Sequence, residues 1–139
     1  MSDALPSKIN LEIVTPDKLF FSGEVDEVMV PGAEGALGIL PGHAPLLSEL
    51  KVGILSYKVG SQETQLSCGW GFVEVLSDSV AVLAEIAETR EEIDVERAEQ
   101  DKIRAESLLK SKDPMTDYEE AMRLLQHALT RLEVANSKR

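Results

Sequence analysis

Apolar positions follow two different periods along the chain. Up to about residue 88, apolar and β-branched residues come in short runs separated by turn-forming residues, which predicts short β-strands. Such runs occur at residues 9–15, 19–22 and 24–30. Beyond residue 88, apolar residues recur every third or fourth position, which predicts α-helices. The pattern therefore predicts a β region followed by an α region.

Two β-hairpins are predicted in the second half of the β region. Leu55, Tyr57 and Val59 alternate with polar residues, and Gly60-Ser61 follows as a two-residue turn with glycine first, as in type II′ turns. A second hairpin is predicted around Ser77-Asp78. Short strands with turns at this spacing favour an antiparallel sandwich or barrel.

The α region divides into two predicted helices. The first covers residues 95–110, with Asp94 as its N-cap. The second is predicted to begin at Thr116, since Glu119 three residues later completes a capping-box pattern. The short connection at residues 111–114 favours an antiparallel hairpin.

The predicted hairpin has little apolar surface of its own. The stripe of the first helix consists of Val95, Ala98, Ala105, Leu108 and Leu109. Isolated helices of this length are marginal in water. The hairpin is therefore expected to pack on the β region or on another protein, and to exchange between them if the two packings have similar energies.

Composition narrows the class of protein. The chain has 139 residues, 43% of them apolar, which predicts one soluble domain with or without a small appendage. No apolar run approaches the roughly 18 residues of a membrane-spanning helix. Residues 1–8 lack the features of a signal or transit peptide. The single cysteine, Cys68, excludes an intrachain disulfide and fits a reducing compartment.

The charge is acidic and unevenly distributed. The net charge is −11, which argues against nucleic acid as a partner. Residues 1–88 carry −9 and residues 89–139 carry −2, whereas the segment from Ala121 onward is net +3. That basic end is either a solvated helix terminus with cations that complement its dipole, or a surface that meets an acidic partner.

No catalytic or metal-binding group of residues is evident. His43, His127 and Cys68 are too few for a zinc site of familiar spacing. Cys68 falls on the apolar face of a predicted strand, which predicts an inert core residue. The Walker phosphate-binding pattern is absent. We therefore predict a protein that is not an enzyme, with no catalytic residues, no metal and no obligatory cofactor.

Three segments carry a resemblance to a known family. The runs EGALGILPGHAPLLSELKVGIL, GWGFVEVLSDSVAVLAE and IDVERA resemble the epsilon subunit of bacterial F-type ATP synthases. The resemblance implies a ten-stranded antiparallel β-sandwich over residues 1–88 and an antiparallel two-helix regulatory hairpin over residues 89–139. It implies a rotor subunit of the central stalk that couples proton flow to ATP synthesis. Its hairpin would inhibit ATP hydrolysis.

The resemblance also implies partners and a location. The sandwich would contact the gamma subunit and the c-subunit ring, with Gly42 and His43 at the c-ring contact. The extended hairpin would meet an acidic segment of the beta subunit through Arg123, Arg131 and Lys138. The subunit would be peripheral, on the cytoplasmic face of the bacterial inner membrane, and associated with the membrane only through the complex. Ala36 stands where the family has an acidic residue, and Trp70 interrupts the usual Gly-Gly-Phe, either in the core or facing gamma.

Some members of the family bind ATP as a regulatory ligand in the folded hairpin. The positions that match their motif are Glu88, Ile93, Asp94, Arg97, Ala98, Arg104 and Arg131. His127 replaces a further arginine. The same residues have a purely structural interpretation, in which Asp94 caps the helix while Arg97 and Arg104 pair with Asp101.

Four functional hypotheses stay open at this point. The first is the rotor subunit, and the second is a nucleotide-sensing regulatory module whose hairpin binds ATP. The third is an enzyme with an unrecognised site, and the fourth is an adaptor in some other complex.

Overall fold

The structure is a computed structural model that describes residues 6–137. The predicted contact residue Lys138 lies outside the described residues. The strands are β1 (Ile9–Val14), β2 (Leu19–Val25), β3 (Glu27–Gly32), β4 (Gly35–Ile39), β5 (Leu46–Leu50), β6 (Gly53–Val59), β7 (Gln62–Val75) and β8 (Ser79–Thr89). A 3-10 turn, Arg90–Glu92, leads to the helices α1 (Val95–Lys110) and α2 (Tyr118–Asn136).

The strands form a sandwich with the order β2-β1-β8-β7-β5-β3-β4, in which β6 also pairs with β3 and β7. All neighbours are antiparallel except β1 and β8, which are parallel. The β-sandwich followed by two helices confirms the predicted fold class. The ten-strand count is wrong, since residues 6–137 contain eight strands.

The lower strand count arises because β7 serves both parts of the sandwich. Its first half pairs with β6 and its second half with β5, and the chain bends between them at Trp70 and Gly71. The β7–β8 pairing keeps its register through this bend, so the two segments form one strand of 14 residues.

The core lies between the two layers of the sandwich. Alternating side chains of β1, such as Leu11 and Ile13, are fully buried, as are Val73 and Val75 of β7. Burying a side chain of this kind contributes about 1.5–3 kcal/mol. The alternation seen in the sequence is therefore the one that the core uses.

The predicted strand at residues 24–30 is two strands, separated at Asp26. The Asp26 carboxylate accepts a hydrogen bond from the Gly60 amide at 2.6 Å and forms an ion pair with Lys8. These contacts hold the pKa of Asp26 below its ordinary value. The break occurs because this side chain ties the corner to a distant turn, which a local pattern does not reveal.

Both predicted hairpins are confirmed. Val59 pairs with Gln62 across Gly60-Ser61. Gly60 has a φ of 63° and Ser61 has a negative φ, which fits a type II′ turn and excludes type I′. The second hairpin closes at Ser77-Asp78, where the Leu76 amide donates to the Ser79 carbonyl at 2.8 Å.

The predicted helices are confirmed, but one start is wrong. Asp94 caps α1 by accepting from the Arg97 amide at 3.0 Å. The N-cap of α2 is Asp117, which accepts from the Glu120 amide at 3.0 Å. Thr116 instead donates to the Ser111 hydroxyl. A carboxylate one residue later is the better acceptor, because it carries a charge that favours the helix N-terminus.

The predicted stripe of α1 is partly wrong. The buried positions of α1 are Ala98, Asp101 and Ala105. Val95 and Leu108 are exposed instead. Small residues and one carboxylate thus form the buried face of α1, which leaves most of its apolar surface accessible.

Helix α2 makes most of the contact between the hairpin and the sandwich. It packs antiparallel to α1 and rests on β6 and β7. Because α2 covers the outer face of β7, Ser67 is buried although it points away from the core. Among the described residues its hydroxyl has no hydrogen-bond partner.

Candidate functional site

Four side chains from three elements meet where the hairpin rests on the sandwich. Glu88 lies near the end of β8, Asp101 lies on α1, and His127 and Arg131 lie on α2. We call these four residues the Glu88 cluster. Arg131 donates from Nη2 to Glu88 Oε2 at 3.1 Å, and its Nη1 lies 4.0 Å from Asp101 Oδ2. One guanidinium thereby joins the sandwich to both helices.

Hydrogen bonding in the Glu88 cluster is incomplete. Arg131 Nε lies 2.9 Å from Glu88 Oε1, and His127 Nε2 lies 3.6 Å from the same oxygen. The Arg131 contact is not aligned as a hydrogen bond and the His127 contact is too long for one, so within residues 6–137 all three atoms are buried without a hydrogen bond. Buried polar atoms in this state weaken a contact relative to a fully bonded network.

The cluster perturbs the titration of its carboxylate. Burial of Glu88 acts to raise its pKa, but His127 and Arg131 together outweigh burial and hold the pKa below its ordinary value. Glu88 is therefore ionised at neutral pH and attracts cations on α2.

A second contact between the sandwich and α2 centres on Trp70. Its ring lies beneath the Arg123 guanidinium, and it meets the His127 ring edge-on with centroids 5.7 Å apart. Arg123 also pairs with Glu85 of β8 at 3.8 Å and with Glu120 at 3.8 Å. The structure thus directs Trp70 toward the hairpin rather than into the core.

The predicted ATP-binding residues are only partly brought together. Glu88 and Arg131 contact each other within the cluster, and Asp94 and Arg97 lie at the start of α1. A further two, Ile93 and Ala98, are buried. Arg104 is exposed, and within residues 6–137 no ion pair joins it to Asp101.

The structural interpretation of α1 is thus half confirmed. Arg97 Nε donates to Asp101 Oδ1 at 3.1 Å, whereas the pairing expected for Arg104 is wrong. Asp101 itself is the residue whose role the sequence understates. Its spacing of three residues from Ala98 and four from Ala105 was the available signal, because those positions share one helical face.

The predicted partner-contact residues Gly42 and His43 lie in the loop after β4. The Gly42 amide donates to the Ser77 carbonyl at 2.7 Å, and its φ of 87° suits glycine. His43 Nδ1 lies 2.7 Å from the Ala44 carbonyl oxygen. This end of the sandwich also exposes Leu40 and Leu76.

An apolar row crosses the outer face of four strands. Phe72 of β7 pairs with Leu83 of β8, Leu83 pairs with Val14 of β1, and Val14 pairs with Leu19 of β2. Phe72, Leu83 and Leu19 are each more than half exposed. We call these four residues the apolar row. Contiguous exposed apolar side chains of this kind mark interaction surfaces.

Cys68 is buried in the core of the sandwich. Burial raises the pKa of the Cys68 thiol to about 12, so it stays protonated and unreactive at neutral pH. Within residues 6–137, no three His, Cys, Asp or Glu side chains are grouped to hold a metal ion. In that same range, no helix has the length and apolar character needed to cross a membrane.

Comparison with known proteins covers both halves of the chain. Residues 8–90 match the family described as ATP synthase, Delta/Epsilon chain, beta-sandwich domain. Residues 91–136 match ATP synthase, Delta/Epsilon chain, long alpha-helix domain.

Similar curated proteins carry one name. The chain is 45% identical over 132 residues to ATP synthase epsilon chain 2 of Syntrophotalea carbinolica, covering 94% of this chain and 96% of that one. It is 45% identical over 132 residues to the ATP synthase epsilon chain of Geobacter sulfurreducens, with the same coverage. It is 52% identical over 103 residues to that of Koribacter versatilis, covering 74% of this chain and 72% of that one.

Two solved structures share the fold. A chain of the Euglena gracilis mitochondrial ATP synthase, solved as OSCP/F1/c-ring, matches with a TM-score of 0.83 at 25% identity over 97% of this chain and 86% of that one. A chain of the Tetrahymena thermophila mitochondrial ATP synthase central stalk and c-ring matches with a TM-score of 0.59 at 13% identity, over 95% of this chain and 96% of that one.

Proposed function

The chain belongs to the ATP synthase delta/epsilon chain family, and on that premise we propose that it is a non-catalytic rotor subunit of an F-type ATP synthase. In this role it couples proton flow to ATP synthesis, and its hairpin restrains ATP hydrolysis. The observation that carries the proposal is the family match of both halves, the sandwich and the helical pair.

The sandwich offers two surfaces for the stalk partners. The loop with Gly42 and His43, beside exposed Leu40 and Leu76, is the surface we assign to the c-subunit ring. The apolar row is the surface we assign to the gamma subunit, because burying exposed apolar side chains is the main source of association energy. The c-ring assignment is supported by the similar chain of a mitochondrial ATP synthase solved as OSCP/F1/c-ring.

The charges of the hairpin support a regulatory role. In the folded hairpin, Arg123 and Arg131 of α2 face the carboxylates of Glu85 and Glu88 on the sandwich. If the hairpin extends, these arginines leave one acidic surface and become available to another. We propose that the second surface is an acidic segment of the beta subunit.

The contact between hairpin and sandwich is suited to reversible release. Apart from Val134, the fully buried residues of α2 are alanines, namely Ala121 and Ala128. The Glu88 cluster adds ion pairs that lack full hydrogen bonding. Such a contact is expected to be weak enough for a partner with moderate affinity to shift the equilibrium.

A second candidate function is ATP binding by the folded hairpin. Arg97 and Arg104 favour it, because both are exposed and lie seven residues apart on one face of α1. Arg131 opposes it, because Glu88 and Asp101 already neutralise its charge. A phosphate group would have to displace those carboxylates. Calorimetry with Mg-ATP decides the matter, and binding weaker than about 1 mM would remove this candidate.

The location follows from assembly into the complex. We propose that the chain lies at the cytoplasmic face of the bacterial cell membrane, as a peripheral subunit held by the c-subunit ring and gamma. Washing membranes with a chelator at low salt, which releases the soluble sector, should release this chain together with gamma.

The regulatory half of the proposal is tested by removing the hairpin. A chain ending after Ile93 keeps all eight strands and the 3-10 turn. Complexes reconstituted with this chain should hydrolyse ATP faster than complexes with the full chain, while proton pumping is retained. Equal hydrolysis at every nucleotide concentration would sink the inhibitory role. Failure of the full chain to co-purify with gamma would sink the stalk assignment itself.

A further inference from the structure

We propose that His127 is a proton-sensitive clasp, so that a proton on its imidazole tightens the contact of α2 with the sandwich. The folded hairpin is then favoured as the pH falls from about 8 to about 6, the range in which histidine ordinarily titrates. The inference concerns the chain by itself, so it stands or falls independently of whether the hairpin inhibits hydrolysis.

The geometry places an acceptor in front of the ring. His127 Nε2 lies 3.6 Å from Glu88 Oε1, and both atoms are buried without a hydrogen bond. The two side chains retain only 20% and 24% exposure, so water screens their interaction weakly. A proton turns this contact into a charged donor facing a carboxylate, and a shift of about 0.7 Å completes a charge-assisted hydrogen bond.

The other charges around the ring do not reverse this effect. On the sandwich, the nearby charged groups are Glu85 and Glu88, and on α2 they are Arg123 and Arg131. The Arg131 charge is offset by Glu88 and by Asp101 of α1, which Arg97 also contacts.

The remaining cations are also balanced or turned elsewhere. Arg123 is offset by Glu85 and Glu120. Arg90 of the 3-10 turn donates to the Ala135 carbonyl at the far end of α2. Apart from Arg90, the groups named are three guanidiniums, those of Arg97, Arg123 and Arg131, and four carboxylates, those of Glu85, Glu88, Asp101 and Glu120. The surroundings of the ring are therefore net negative, with Glu88 Oε1 in front of it, and attract the protonated ring.

Trp70 keeps the imidazole in position. The Trp70 ring meets the His127 ring edge-on, and Arg123 stacks over the Trp70 ring. The imidazole is therefore confined between Trp70 and Glu88. Both of these residues belong to the sandwich, whereas His127 belongs to α2. When the hairpin leaves, the proton loses its carboxylate, and this difference couples proton binding to hairpin position.

Amide hydrogen exchange of the full chain tests the clasp. Protection of α2 amides is measured at about pH 6 and about pH 8, each relative to the intrinsic exchange rate at that pH, with β1 amides as the internal reference. We expect α2 protection to be about threefold higher at the lower pH, because a single ion pair typically shifts an equilibrium by a factor of this order. His127→Gln should abolish this ratio, and His127→Arg should give high protection at both pH values.

Two outcomes would overturn the clasp. One is a wild-type chain whose α2 protection, relative to β1, does not change with pH. The other is a pH ratio that persists in His127→Gln or in Glu88→Gln, because the proton would then act elsewhere. Unchanged β1 protection in each variant shows that the sandwich is folded. His127→Gln could loosen α2 so far that its protection is not measurable. In that case His127→Arg decides, because arginine does not titrate between about pH 6 and about pH 8, and a ratio of α2 protection at the two pH values equal to that of the wild type would refute the proposal.

Discussion

The guanidinium carbon of Arg123 lies 4.2 Å from the centre of the Trp70 ring, and this stack joins α2 to the bend of β7. Trp70 adopts a φ of 53°, in the left-handed region that residues other than glycine seldom occupy. The bend that sends β7 from one layer to the other therefore also presents the indole to the hairpin. Trp70, which interrupts the family's Gly-Gly-Phe motif, thus forms a contact between the sandwich and the hairpin.

The stack predicts a specific loss of hairpin contact. Arg123→Gln should weaken the contact of α2 with the sandwich by about 1 kcal/mol, the value of a partly exposed cation–π pair. Hydrogen exchange of α2 amides measures the loss. Glu85→Gln is the matched control, because it removes the ion pair of Arg123 with the sandwich and keeps the stack. Equal effects of the two substitutions would show that the ion pair, and not the ring, holds Arg123.

Gly71 is predicted to be irreplaceable. A Cβ at this position would lie 1.8 Å from the Leu83 carbonyl oxygen, and the φ of 154° disfavours any side chain. Gly71→Ala should lower the free energy of unfolding by about 3 kcal/mol or more, measured by urea denaturation.

Gly38→Ala is the control for Gly71→Ala. A Cβ at Gly38 would make ordinary contact with Met29 at 3.6 Å, and its φ lies outside the left-handed region. Its cost should stay within about 1 kcal/mol. A Gly71→Ala chain as stable as Gly38→Ala would contradict the observed close approach of β7 to β8.

Cys68 gives the stability of the chain a pH dependence at alkaline pH. Its pKa is raised from 9.0 to about 12 in the folded chain, so the unfolded chain loses the thiol proton first. Stability from this group is complete below pH 9 and falls as the pH rises toward 12. The slope approaches about 1.4 kcal/mol per pH unit.

The measurement for Cys68 is a difference between two chains. Urea denaturation of the wild type and of Cys68→Ala at pH values from 8 to 10.5 isolates the thiol from tyrosine and lysine titration. The gap between them should narrow as the pH rises. A constant gap would mean that the thiol ionises equally well in the folded chain. Alkylation of Cys68 at pH 8 should likewise require unfolding.

The apolar row predicts a loss of binding without a loss of folding. Leu83→Ser should reduce co-purification with gamma, while thermal stability changes by less than about 0.5 kcal/mol, because Leu83 is 54% exposed. Val82→Ser on the opposite face is the contrast, since Val82 is fully buried and its replacement should destabilise the sandwich. Undiminished binding by Leu83→Ser would move the gamma surface elsewhere on the sandwich.

The sequence by itself determined two of the hairpin turns, the Asp94 cap and the division into β and α regions. These features depend on neighbours within a few residues, through side-chain periodicity, φ preferences and capping, so a local pattern contains them.

Tertiary structure alone decided the Asp26 break, the continuous β7, the burial of Asp101 and Ser67, and the meeting of Glu88, His127 and Arg131. Asp26 contacts Gly60, and Arg131 contacts Glu88, across 34 and 43 positions of the chain. Whether a charged residue is solvated or buried depends on which surface covers it. That covering is a property of the assembled layers, because it exists only where α2 and the sandwich are packed together.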